Sequence, residues 1–239
     1  MFVSPRAVFA AGKGIRGGVP VCFPWFAAHP TDATKPAHGF ARTTVWTLHD
    51  IMSDALGNTR LVLRLGADAA TRALWPHDFA ATLTLSLGPR LEMTFGVENT
   101  GNRELDYEAA LHTYLTVGDV ERVTLHGLER SRYIDKVDGL REKMSGDAPI
   151  RPAGEIDRVF LDTTAACEVA DPVLGRTLRV EKSGSRTTVV WNPGPVKGPA
   201  VPDLGGDAWR RFICVETANV GEHAVRLPPG GRHEMTARL

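Results

Sequence analysis

The chain has 239 residues, 43% of them hydrophobic, and its 28 basic and 28 acidic residues leave a formal net charge of zero. That balance excludes wholesale disorder and provides no basic excess with which to bind nucleic acid or an acidic membrane surface. Three widely spaced cysteines, Cys22, Cys167 and Cys214, make neither a disulfide framework nor a zinc cluster and suit a reducing compartment.

Met1-Phe2-Val3-Ser4-Pro5 lacks the basic and apolar regions of a signal peptide. No run approaches the roughly 20 apolar residues of a membrane span. The expectation is a soluble, cytoplasmic protein with neither nucleic acid nor membrane as partner.

In chain order, Phe2-Val3-Ser4 and Ala7-Val8-Phe9 read as strand fragments around Pro5. Gly12-Lys13-Gly14-Ile15-Arg16-Gly17 matches G-x-G-x-x-G, but a dinucleotide site needs a helix directly after the glycines. The continuation through Val19, Pro20, Val21 and Pro24 forbids one. The glycines read instead as tight turns that let the backbone approach a ligand. A polar loop over residues 27–37 leads into Pro36-Ala37-His38-Gly39-Phe40-Ala41-Arg42, and Thr44 to Leu48 reads as a strand.

From there the period is two. Leu61, Leu63 and Leu65 alternate with Val62 and Arg64. Leu83, Leu85 and Leu87 are followed, across Gly88-Pro89, by Leu91, Met93, Phe95 and Val97, a hairpin with one buried face. Leu105 to Val117 reads as one long strand. Shorter strands follow at Arg122–His126, Arg158–Leu161, Cys167–Ala170, Thr177–Glu181, Thr187–Trp191, Phe212–Thr217, Ala224–Leu227 and His233–Leu239. A single helical turn is expected, at Asp207–Arg211. About a dozen strands with almost no helix and no linker indicate an all-β antiparallel sandwich, one domain over residues 1–239.

Four separated segments set polar groups in strand-like surroundings. His112 lies in Ala110-Leu111-His112-Thr113-Tyr114; it is either a satisfied core histidine or a group that moves protons near neutral pH. Glu216 shares the face of Phe212 and Cys214, and a carboxylate there must be paired, solvated or functional. Arg16 and Arg42 offer planar donors for an anion, or are surface arginines. Asp157 could be a strand-edge residue and His38 a ring wedged in a turn. No nucleophile elbow, H-E-x-x-H or paired C-x-x-C is present. Cys214 reads as a small buried hydrophobe.

Taken together, the segments Ile15 to Phe26, Pro36 to Arg42, Ala110 to Tyr114, Tyr133-Ile134-Asp135-Lys136, Glu155 to Val159, Val190-Trp191-Asn192-Pro193 and Val215 to Asn219 resemble the glucose-6-phosphate 1-epimerase family of the aldose 1-epimerase group. The resemblance implies a galactose-mutarotase-like β-supersandwich and interconversion of hexose 6-phosphate anomers. It implies His112 as general acid and Glu216 as general base, Arg16 and Arg42 at the phosphate, and His38 and Asp157 along the sugar. Ring opening by acid and base needs no metal and no redox cofactor. A carbohydrate-binding sandwich without catalysis, and a glycosidase using Glu216 with Asp157, are the alternatives.

Two departures from the family stand out. Its members usually carry several tens of residues before the segment matching Val3–Ala7. Either translation starts upstream, or early edge strands are missing and exposed sheet edges invite dimerisation; a monomer or weak dimer is expected. Gly194 stands where the family often has an aromatic, with Lys197 nearby as its lysine.

Overall fold

A computed structural model describes residues 1–239. Two antiparallel sheets of eight strands each are packed around three apolar clusters. The first sheet runs, in spatial order, Val21–Cys22, Ala109–Leu111, Phe212–Asn219, Thr187–Asn192, Ile156–Phe160, Arg132–Asp135 and Arg141–Met144, with Tyr114–Thr116 also paired to Phe212–Asn219. The second runs Thr47–Ser53, Thr59–Gly66, Phe79–Leu87, Leu91–Asn99, Arg232–Arg238, Arg176–Ser183, Cys167–Asp171 and Thr124–His126. No helix is long and apolar enough to cross a membrane.

The period-two hairpin is present, with Leu83 opposite Phe95 and Leu85 opposite Met93. Residues 12–20 contain no helix, in keeping with rejection of the dinucleotide motif.

Several elements differ from the sequence reading. Ala7-Val8-Phe9 is not a strand, and Val3 makes only an isolated bridge to Gly17; Phe9 is 72% exposed, so no packed surface supports its β propensity. An α-helix at Ala69–Leu74 joins the helical turn at Gly206–Arg211, and its start carries a capping box between Asp68 and Thr71. A second short helix spans Gly194–Lys197. Arg132–Asp135 and Arg141–Met144 form an additional hairpin.

Leu105–Val117 is not one strand but three, Leu105–Tyr107, Ala109–Leu111 and Tyr114–Thr116. The break falls on His112 and Thr113. Thr113 turns its N–H back to the Leu111 carbonyl at 2.8 Å, while the His112 N–H donates to Pro20 O at 3.0 Å, extending the register of the Val21–Leu111 pairing by one residue.

The segment around Pro20–Trp25 is fixed by Phe23. Its ring is fully buried and meets the rings of Trp75, Phe79, Phe95 and Tyr107 edge-on at 5.3–5.5 Å. The Phe23 backbone in turn holds the His38 turn, with Phe23 N–H donating to His38 O and Phe40 N–H to Phe23 O. The approach is so close that a Cβ on Gly39, where φ is +71°, would lie 2.0 Å from the Phe23 carbonyl oxygen. Gly39→Ala is therefore expected to cost more than the about 1–2 kcal/mol of the left-handed backbone alone. Gly12→Ala, at φ +72° but with nothing within 4 Å, should cost only that backbone share. Urea denaturation midpoints of the two variants measure the difference.

Candidate active site

Ladder register brings the two proton-transfer candidates together. Leu111 lies opposite Thr217 and Tyr114 opposite Cys214, so the same register sets His112 across from Glu216. His112 Nε2 is 3.4 Å from Glu216 Oε1. The contact is not aligned as a hydrogen bond, and both Glu216 oxygens and His112 Nδ1 are buried without a partner. Orphaned buried polar atoms are rare in folded proteins and need an explanation. A bound ligand that hydrogen-bonds to them would satisfy these atoms.

Glu216 projects from Phe212–Asn219, a strand whose eight residues are all buried and which pairs on both sides. Its face is floored by apolar Cys22, Ala110, Val159, Val189 and Ala218. Burial therefore holds the Glu216 carboxyl well above the usual carboxylate range; Asp157 pushes the same way, while Lys136 and Arg42 pull back. The His112 ring is held well below the usual imidazole range by burial, with neighbouring His38, Arg42 and Arg16 pushing the same way. Tyr114 stacks on His112 at 4.9 Å and Trp191 meets it edge-on at 5.6 Å.

His38 stands beside this pair, its ring centre 5.9 Å from that of His112. Its backbone is left-handed, φ +64°, and its Nδ1 accepts the Ala27 N–H at 3.3 Å. Burial, then Arg42, Lys136 and Arg16, push its pKa down to about 3. The ring is thus neutral at physiological pH, and an occupied Nδ1 leaves the proton on Nε2 as a donor.

Asp157 faces the same side of the sheet, opposite Trp191, which is opposite Cys214. Lys136 Nζ lies 3.3 Å from its Oδ2 and 5.2 Å from the centre of the Phe26 ring. Burial raises the Asp157 pKa against the pull of Lys136.

The two arginines are anchored differently. Arg16 donates from Nε to Asp203 Oδ1 at 3.1 Å and from Nη1 to the Tyr114 hydroxyl at 3.2 Å, so it is tied to the ring that stacks on His112. Arg42 donates from Nη2 to Ala37 O at 2.8 Å, and its charge reaches His38, His112 and Glu216.

All six residues singled out in the sequence thus converge on one face. Lys136, Trp191 and Tyr114 join them; Lys136 lay in a quoted motif, but only the sheet places its charge among the carboxylates. Lys197 stands at the rim of the cluster: it pairs with Glu155 at 2.8 Å and is largely exposed, and its charge still reaches Asp157. A Cβ at Gly194 would lie 2.4 Å from Glu155 N, so this backbone has no room there for an aromatic side chain. A groove of about 660 Å³ on the outer face of the second sheet, lined by Arg60, Thr82, Thr94 and Glu234, gathers no comparable set of unpaired buried groups.

The raised Glu216 pKa has a consequence for stability. A folded-state pKa above the unfolded value means that stability is lost as pH rises from about 4.3 toward the folded pKa. Glu216→Gln abolishes that loss. The variant is expected to melt roughly 2–4 °C above the parent at pH 7 for each kcal/mol recovered, with the difference vanishing below about pH 4. Thermal melts from acid to neutral pH measure it.

Comparison with known proteins agrees with this architecture. The aldose 1-epimerase family matches residues 3–239. A protein of Escherichia coli (strain K12) that carries the provisional name glucose-6-phosphate 1-epimerase is 36% identical over 222 residues, which is 93% of this chain and 73% of that protein. One from Cenchrus ciliaris with the same provisional name is 34% identical, covering 96% and 71%. The crystal structure of a Salmonella typhimurium protein provisionally described as a mutarotase superposes with a TM-score of 0.90 at 32% identity, over 99% of this chain and 78% of that one. A galactose mutarotase-like protein from Lactobacillus casei shares the fold at a TM-score of 0.72 and 16% identity, over 92% and 83%. With its whole length but the first two residues matched, the chain belongs to the aldose 1-epimerase family.

Proposed function

We propose that this protein interconverts the α and β anomers of glucose 6-phosphate by acid–base ring opening. The observation that carries the reading is the cross-strand pair His112–Glu216, 3.4 Å apart and without other partners. The E. coli, S. typhimurium and C. ciliaris relatives, all provisionally named for this activity, support the choice of substrate.

Glu216, as carboxylate, takes the proton of the anomeric hydroxyl. His112, as imidazolium, gives a proton to the ring oxygen. The C1–O5 bond breaks as the C1 carbonyl forms, and the open-chain aldehyde results. Rotation about C1–C2 presents the other carbonyl face, and the reverse transfers close the opposite anomer, returning both protons.

Burial favours neutral Glu216 and neutral His112 in the empty site. That state holds the same single proton as the carboxylate–imidazolium pair and differs only in which partner carries it. A bound hydroxyl donating to Glu216 and a ring oxygen accepting from His112 favour the charged form. His38 Nε2–H and Asp157 hydrogen-bond the sugar. Arg16 and Arg42 hold the phosphate at the far end, which orients C1 between acid and base. The three cysteines are free and buried, which fits a reducing compartment, and we assign the enzyme to the cytoplasm.

Glu216→Gln and His112→Asn are each expected to lower kcat by about 10²–10⁴-fold while phosphosugar binding persists. Magnetisation exchange between the anomer signals measures the rate and calorimetry the binding; turnover unchanged in Glu216→Gln would sink the assignment. Removing the Arg42 guanidinium, as Arg42→Ala, is expected to lower kcat/KM for glucose 6-phosphate by about 10–100-fold, the worth of a charge-assisted hydrogen bond. The same variant should cost the rate on unphosphorylated glucose much less, only what the loss of Arg42's charge does to the His112–Glu216 pair. An equal loss on both sugars would remove Arg42 from the phosphate end.

A further inference from the structure

Register lays two rows of side chains next to each other on the face of the site. One runs Ile134, Val159, Val189, Glu216 and then, by the same register, His112. The next runs Asp157, Trp191, Cys214, Tyr114. Lys136 joins this second row at its outer end. Its N–H donates to Asp157 O at 2.9 Å, which carries the pairing of Arg132–Asp135 with Ile156–Phe160 one residue further. Lys136 and Asp157 are therefore cross-strand neighbours.

Their side chains meet. Lys136 Nζ is 3.3 Å from Asp157 Oδ2, and the two side chains are 24% and 20% exposed. The Phe26 ring lies on the other side, its centre 5.2 Å from Nζ, so the ammonium is held between an aromatic face and a carboxyl group. Three cations act on the His38 ring, Arg42, Lys136 and Arg16, and two of them are engaged elsewhere. Arg16 pairs with Asp203 and donates to the Tyr114 hydroxyl. Arg42 donates to Ala37 O. Of the three, only Lys136 makes an ion pair with a carboxyl group of the site.

That contact makes the two carboxyl groups of the site unequal. Asp157 is near enough to push the Glu216 pKa upward, and neighbouring carboxyl groups resist ionising together. The one with a cation in contact ionises first. The charged groups around Asp157 are Lys136, Glu155, Lys197 and Glu216. Glu155 and Lys197 pair with each other at the rim. Arg158, next in the strand, turns to the Tyr133 ring instead. The state of Asp157 is thus set chiefly by burial, which raises its pKa, against Lys136, which lowers it.

We propose that Lys136 is a positioning residue: it keeps Asp157 an ionised acceptor for a sugar hydroxyl and so leaves Glu216 as the one carboxyl group that exchanges a proton. The assignment rests on the acid–base reading above and adds a specificity to it. Asp157 accepts a hydrogen bond and offers none, so a sugar without a hydroxyl at that point is rejected. Without the ammonium, burial is opposed much less. Asp157 then takes up its proton at higher pH, and the acceptor is lost as pH falls.

Lys136→Met keeps the stem and removes the charge; Lys136→Arg keeps the charge. The carboxyl NMR resonance of Asp157 in the sugar-free protein is expected to titrate at higher pH in Lys136→Met than in the unaltered chain, and to return toward the original midpoint in Lys136→Arg. Below the raised midpoint, Lys136→Met should bind glucose 6-phosphate about tenfold more weakly by calorimetry, the difference between a charge-assisted and a neutral hydrogen bond. Above it the deficit should shrink. Added to Asp157→Asn, the same substitution should change affinity by less than about twofold, because the two residues act as a unit. An Asp157 titration that Lys136→Met does not move overturns the proposal. So does an equal, pH-independent loss of affinity in the Asp157→Asn background, which would make Lys136 a direct ligand of the phosphate. Absence of anomer exchange in the unaltered chain counts against the proposed function instead, and the titration tests Lys136 without it.

Discussion

The site rests on one costly arrangement, a carboxylate buried in the middle of a sheet. Glu216 sits on a strand with every residue buried, over a floor of small apolar side chains. Water cannot reach it, so its charge must be balanced by what the fold sets around it. His112 is at hydrogen-bonding range but misaligned, while Lys136 and Arg42 act on it from farther away. Desolvation inverts the ordinary order of the two groups, moving the Glu216 carboxyl upward and the His112 imidazole downward. Both shifts favour one proton shared by the pair, the inventory that the proposed ring opening would use.

Rigidity comes from the other layer. Phe23, locked among aromatic rings of the second sheet, fixes the backbone that carries Cys22 toward the site and holds the His38 turn. The left-handed backbone of His38 is strained, and the neighbouring core over-determines it. The His112–Glu216 pair is thus anchored to one sheet and the His38 turn to both. A substrate gripped at its phosphate and at C1 would be gripped by parts that cannot drift independently.

Local pattern carried much of the fold. Alternation in Phe79–Leu87 and Leu91–Asn99 matches the observed hairpin because a half-buried sheet imposes a period of two on any sequence that forms it. The helix at Ala69–Leu74 escapes the sequence reading because six residues are too short to show a helical period, although Asp68 and Thr71 form its capping box. Ala7–Phe9 shows the reverse error, strand-forming residues with nothing to pack on. The interruption at His112–Thr113 leaves no mark in the residue pattern; it lies in the backbone, where the Thr113 N–H turns back to the Leu111 carbonyl.

The sequence by itself determined the all-β class and supplied the chemical types: an imidazole, a carboxylate on an apolar face, and two guanidiniums near glycine turns. Those follow from side-chain identity and short-range period. Only the tertiary structure decided that His112 and Glu216 face each other, that Lys136 stands between the carboxylates and the Phe26 ring, and that His38 is neutral. Strand register links residues a hundred positions apart, and desolvation depends on everything packed around a group; neither is a property of any stretch of sequence read alone.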